Sequence, residues 1–155
     1  DDGIPIRSYY DTDDDTADVR RTYEETGAML TYFAELLGTP YPWNKYAQIP
    51  AARFPHGGME NTTATVMADT RLVVSAREAV DYDPRPLIAH ELAHQWAGDL
   101  VTYSDWSEEW LNEGFATFLQ QMWTRERHGH DAMLIQRYEG IRGFLDWTDR
   151  AARHA

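Results

Sequence analysis

Asp83-Pro84-Arg85-Pro86-Leu87-Ile88-Ala89-His90-Glu91-Leu92-Ala93-His94-Gln95-Trp96-Ala97-Gly98 carries the densest information in this chain. The prolines at its front suit the first turn of a helix, where backbone donors have no intrahelical partner. The helix is predicted to run to about Ala97 and to end at Gly98. Within it, His90 and His94 stand four positions apart, which is about 6 Å of rise and about 40° of rotation. Both imidazoles therefore leave from one face and can converge on a single cation. Glu91, one position after the first histidine, projects beside that point, where it can take a proton from a water without joining the ligand set.

A cation held by two histidines needs at least one more ligand. Glu113 supplies it, with 18 residues between it and His94, in the run Trp110-Leu111-Asn112-Glu113-Gly114-Phe115-Ala116. Two His and one carboxylate leave a fourth zinc position open, the mark of a reactive site as opposed to a closed structural one. The competing reading is an amphipathic helix that happens to carry two histidines. With the six His and eleven Glu of this chain, a chance H-E-x-x-H is expected about 0.02 times, and about 0.001 times with a Glu at one given offset. The ligand reading is therefore preferred.

Outward from this centre the chain divides into elements without a linker, repeat or low-complexity tract. Upstream, Val19, Tyr23, Met29, Leu30, Phe33, Leu36 and Leu37 keep helical spacing, predicting one helix over 17–37 with Thr16 as its cap and Gly38 and Pro40 as its stop. Lys45 to Ala52, Thr63 to Ala68 and Leu72 to Ser75 read as strands. Downstream, Asp105 or Ser107 can cap a helix carrying Trp110 to His128, Gly129 ends it, and Asp131 opens a last helical stretch. Helix, strands, then helices predict an α+β fold with a small sheet and a helical half.

Composition narrows the chemistry. The chain has 155 residues, one domain's worth, and 14 basic against 26 acidic residues, a net charge of −12. That balance argues against a sequence-independent grip on nucleic acid or anionic lipid. Nine Asp/Glu against three Arg lie in residues 1–25, so about half of the charge is local to that end. With no cysteine, disulfides and thiolate ligands are excluded, and a metal must be held by His or carboxylate. No apolar run is long enough to cross a bilayer and Asp1-Asp2-Gly3 does not open a signal peptide, so a soluble chain is expected, its compartment and oligomeric state open.

The H-E-x-x-H pattern, the gap to Glu113, the Trp110 to Ala116 run and Gly57-Gly58-Met59-Glu60-Asn61 together resemble the zinc aminopeptidases with the GAMEN motif, a branch of the gluzincin metallopeptidases. Tyr41-Pro42-Trp43-Asn44-Lys45 is similar to the family's segment ahead of that motif, and His94-Gln95-Trp96 to its continuation. The resemblance spans most of the chain. It implies a thermolysin-like metallopeptidase core with a small mixed sheet and a helical half carrying the zinc site. Residues 1–155 would form a single catalytic core, without the family's N-terminal β domain and C-terminal helical domain. It further implies one Zn2+ bound by His90, His94 and Glu113, with Glu91 as general base. Glu60 would hold the free α-amine of a peptide substrate, and the backbone of Gly57, Gly58 and Met59 would lie alongside that peptide as an edge strand. Taken alone, the Gly-Gly-Met-Glu-Asn segment would read as an ordinary turn.

The chain also departs from the family. The catalytic tyrosine normally lies further beyond the third ligand than the 155 − 113 = 42 residues present, and Tyr138, the one tyrosine after Glu113, reads as a helix residue. Thr117 or Asp99 could give a ligand its outer hydrogen bond, and Trp96, Trp106, Trp110 and Trp123 read as packing around the two motif helices. His128 and His130, either side of Gly129, read as helix-end residues. Three activities follow as expectations: an aminopeptidase, a catalytically weak zinc-stabilised peptide-binding module, or an endopeptidase of the same superfamily.

Overall fold

Tyr46–Ala51 (β2) is the strand around which the N-terminal part of the molecule is built, and its alternate side chains explain why. Tyr46 and Gln48 are fully buried on one face, Tyr46 through a hydroxyl contact with Thr65 at 3.0 Å and Gln48 through Nε2 to the Thr26 hydroxyl at 3.1 Å. The computed structural model describes residues 3–69 and 72–153. β2 pairs in parallel with Ile6–Ser8 (β1) on one side and with Ala64–Ala68 (β4) on the other. Gly58–Met59 (β3) adds to β4 antiparallel, in the register Gly58↔Met67 and Met59↔Val66. The sheet is thus mixed, in the order β1-β2-β4-β3, and β3 is an edge.

The first helical stretch is two helices, Thr16–Tyr23 (α1) and Thr26–Leu37 (α2), where one was predicted over 17–37. Asp15, one residue before the expected Thr16, caps α1 by accepting from the Ala17 N–H at 2.7 Å. The break at Glu24 and Glu25 has a long-range cause. The buried Glu25 carboxylate meets the Arg85 guanidinium at 2.9 Å, and Gly27, a weak helix former, stands two positions on.

Leu72 to Ser75 was predicted as a strand and is a loop. Leu72 and Val74 are buried as strand residues would be, but their carbonyls take hydrogen bonds from side chains of α1. The Thr22 hydroxyl donates to Leu72 and the Arg21 guanidinium to Val74. With those acceptors occupied from a helix, no ladder is needed to satisfy them.

Arg85–Ala93 (α3) packs on α2 and β3. It is shorter than predicted. Beyond Ala93 the chain continues in turns, and an Ala97↔Val101 bridge pulls it out of the helix at Gly98, whose φ of 140° suits glycine. Trp110–His128 (α4) follows a single 3-10 turn at Trp106–Glu108 that Asp105 caps. His130–Ala152 (α5) is the last helix among the described residues. Among the described residues, no helix is long and apolar enough to cross a membrane.

Two compact units result, Asp1–Gln120 and Gln121–Ala155. In the first, Phe33, Trp96, Tyr41 and Tyr46 form an edge-to-face chain of rings with centroids 5.4–6.2 Å apart, around which Met29, Met67, Ile88 and Leu92 are fully buried. The second comprises the end of α4 and α5, with the Arg127 guanidinium 5.7 Å from the Trp123 ring centre. Tyr138 lies on α5 with 65% of its surface exposed.

Candidate metal centre and substrate cleft

His90 sits in the last turn of α3, and His94 caps that helix in αR geometry, its N–H still bonded to the His90 carbonyl at 3.3 Å. One helical turn therefore sets the two rings edge to face, with centroids 4.8 Å apart and Nε2 atoms 3.2 Å apart. Glu113, in the first turn of α4, closes the group. Its Oε2 is 3.2 Å from His90 Nε2 and its Oε1 is 3.6 Å from His94 Nε2. All three ligand atoms fall within 4.8 Å of one another, so His90, His94 and Glu113 form a group that could hold a metal ion.

The outer contacts of His94 fit such a role. Its Nδ1 is 2.9 Å from the Ala97 carbonyl. A carbonyl only accepts, so Nδ1 carries a proton, and Nε2 is the ring atom turned toward Glu113 and presented to a metal. The outer partner of His94 is thus a backbone carbonyl and not Asp99, one of the two residues that could have supplied such a bond to a ligand. Asp99 instead accepts from Gln95 Nε2 at 2.8 Å. The bend that brings the Ala97 carbonyl round is tight, since a Cβ on Gly98 would stand 3.2 Å from His94 Nδ1. An N, N, O donor set with one face open matches a zinc site better than a hard-cation site, which prefers all-oxygen ligands.

The electrostatics follow from this packing. Hydrogen bonds from His90, then His94, hold the Glu113 carboxyl well below the usual carboxylate range. Burial pulls the His94 imidazole down, but its hydrogen bond to Glu113 and the charges of Glu60 and Glu113 outweigh that, and the net direction is up. Glu91 is buried, and desolvation pushes its pKa up to about 8, with His94 opposing and Glu60 and Glu113 adding to the rise.

Gly57, Gly58, Glu60, His90, Glu91, His94 and Glu113 line one cleft of about 400 Å³, which Leu87 and Gln120 complete. Except for Met59, the residues singled out from sequence are therefore brought to one place, from β3 and its flanks, α3 and α4. Met59 is 40% exposed and pairs through its backbone with Val66. Trp96 is buried, its indole N–H donating to the Thr39 carbonyl at 3.1 Å, but Trp106 and Trp110 are 78% and 61% exposed and do not serve as packing. Sequence reasoning missed Leu87 and Gln120. Leu87 was legible in principle, one turn before His90 on the same helix face.

Residues 21–143, which contain every residue of the cleft, match the peptidase family M1 domain. Leucine aminopeptidase 2-1 of Meyerozyma guilliermondii is 38% identical over 117 residues, covering 75% of this chain and 17% of that protein. Aminopeptidase N of Canis lupus familiaris is 41% identical over 108 residues, 63% of this chain and 10% of that protein. Leucine aminopeptidase 2 of Aspergillus fumigatus is 40% identical over 111 residues, 71% of this chain and 16% of that protein. The chain thus spans less than a fifth of the length of each of these relatives. On the extent of the family match and these identities, the chain belongs to the M1 family of peptidases.

Proposed function

We propose that this chain is the thermolysin-like catalytic core of a zinc aminopeptidase, with one Zn2+ held by His90, His94 and Glu113. The observation that carries the proposal is the convergence of two imidazole Nε2 atoms and one carboxylate on a cleft that Glu91 and Glu60 also line. Membership of the M1 family and relatives named as aminopeptidases support it.

Zinc at this position supplies Lewis-acid chemistry, polarising a carbonyl and acidifying water. The chain's own groups do the rest. Glu91 ionises more readily once a cation occupies the neighbouring cluster, takes a proton from the attacking water and returns it to the leaving amine nitrogen. Its burial keeps bulk water from competing for that proton. Glu60 pairs with the substrate's α-ammonium through a charge-assisted hydrogen bond, so that the first peptide bond of the substrate reaches the reacting groups. The backbone of edge strand β3 is available to an extended peptide.

The test is zinc content by elemental analysis beside hydrolysis of leucine p-nitroanilide and of its N-acetylated counterpart. Stoichiometric zinc with cleavage of the free-amine substrate alone is the expected result. Zinc without turnover would establish the peptide-binding module in its place, and cleavage of internal bonds in N-blocked peptides would establish an endopeptidase.

A further inference from the structure

Gln95 follows the second histidine of the cluster and is fully buried. Its side-chain amide is satisfied at both ends. Nε2 donates to the Glu60 carbonyl at 3.0 Å and to Asp99 Oδ2 at 2.8 Å. Oε1 accepts from the Thr63 N–H at 2.8 Å and lies 3.2 Å from the Tyr41 hydroxyl, whose one proton it shares with the Lys45 carbonyl. This orientation is dictated by the partners, because a backbone N–H only donates and a carbonyl only accepts. The main-chain carbonyl of Gln95 accepts from the Trp43 indole N–H at 3.1 Å, and the Tyr41 hydroxyl also lies 3.0 Å from the Lys45 carbonyl. Tyr41 and Trp43 thus hold Gln95 from one side while its amide grips the backbone of the Glu60–Thr63 turn on the other.

That turn needs holding. β3 ends at Met59, and Thr63 sits at φ 65°, a left-handed conformation that a β-branched residue adopts only when its surroundings impose it. Two groups bind the backbone of Thr63: Gln95 Oε1 takes its N–H, and the Ala47 N–H donates to its carbonyl at 2.8 Å. Glu60 stands at the other end of the same four residues, its carbonyl on Gln95 Nε2.

We infer that Gln95 is a positioning residue for the amine end of the substrate: its buried amide sets where Glu60 stands relative to His94, one residue away along the chain. The inference rests on the reading of Glu60 as the partner of the α-ammonium. It gives a role to Tyr41 and Trp43, which lie outside the cleft. A merely structural Gln95 would affect stability without affecting the distinction between a free and a blocked amine.

The experiment measures binding of trialanine and N-acetyl-trialanine by calorimetry to the zinc-loaded chain in the Glu91→Gln background, where nothing is hydrolysed. Gln95→Met, close in volume and without hydrogen-bonding groups, is expected to retain stoichiometric zinc and to weaken trialanine about tenfold while leaving the acetylated peptide unchanged. In a Glu60→Ala background the same substitution is expected to have no further effect on trialanine. Equal losses for both peptides, or no loss for either, would overturn the inference. Failure of Glu60→Ala itself to weaken trialanine would remove the amine reading, a separate outcome. If Gln95→Met does not fold, Tyr41→Phe carries the same test, since it removes one hydrogen bond behind the amide; about threefold weaker trialanine binding is expected, and unchanged binding would overturn the inference.

Discussion

The Glu91 carboxyl occupies the space that a side chain at Gly58 would fill. A Cβ on Gly58 would come within 2.7 Å of Glu91 Cγ and closer still to its carboxyl group. The edge strand β3 and helix α3 therefore meet at a point where one residue has given up its side chain to the other. Gly58→Val is expected to move the Glu91 carboxyl while leaving the His90, His94 and Glu113 cluster intact. Turnover should fall by about tenfold or more with zinc retained, since a misplaced proton acceptor forfeits general-base catalysis. Unchanged turnover, with a crystal structure showing a displaced Glu91, would mean that its working position differs from the one described above.

Glu91→Gln isolates the proton-transfer role. The amide is isosteric and lies outside the ligand group, so zinc content and melting temperature should stay near those of the parent. Hydrolysis of leucine p-nitroanilide should drop by about 10² to 10⁴-fold. Loss of zinc in this variant would place Glu91 among the ligands.

Metal binding should stabilise the chain and depend on pH. Proton and zinc compete for the same Nε2 atoms, so affinity should fall as the pH is lowered. Removing zinc with a chelator at pH 7.5 should lower the melting temperature, by an amount that grows with the ratio of free zinc to its dissociation constant in the untreated protein. His90→Ala and His94→Ala should each abolish the chelator effect. A melting temperature unaffected by chelator in the parent, at one zinc per chain, would contradict coupling of this site to the fold.

Asp99 offers a test of electrostatics away from the ligand atoms. Burial pushes its pKa up from 3.8 to about 6, with Glu60 adding to the rise and Thr62 and His94 opposing it. A raised carboxyl pKa means that the folded state prefers the neutral form. The penalty is absent below pH 3.8, grows between 3.8 and about 6, and is constant above that. In the metal-free protein, Asp99→Asn should therefore gain stability relative to the parent as pH rises from 4.5 to 7.5. About 1 kcal/mol is expected, given the solvent access of this half-buried group. Urea titrations at the two pH values read the difference directly, and a relative gain toward low pH would have the wrong sign.

His90, Glu91, His94 and the boundaries of α4 were legible from sequence because they depend on helical periodicity and on glycine and proline stops, both of which act within a few residues. Strands β2 and β4 were legible for a similar reason, their Thr, Val and aromatic content lying in short bounded runs. What pattern could not supply was any relation requiring two distant segments to meet. The Leu72 to Ser75 run has strand composition, yet Thr22 and Arg21, about fifty residues earlier, take the hydrogen bonds that a neighbouring strand would have made. The break between α1 and α2 accompanies a Glu25–Arg85 ion pair across sixty positions. The sequence by itself determined which side chains could bind a cation, since residue chemistry and one helical turn suffice for that. Only the tertiary structure decided that Glu113 comes within 3.2 Å of His90, that Gly58 makes room for Glu91, and that the Gln95 amide holds the Glu60 turn. Each of these is a contact between segments whose separation along the chain carries no record of the distance that packing finally gives them.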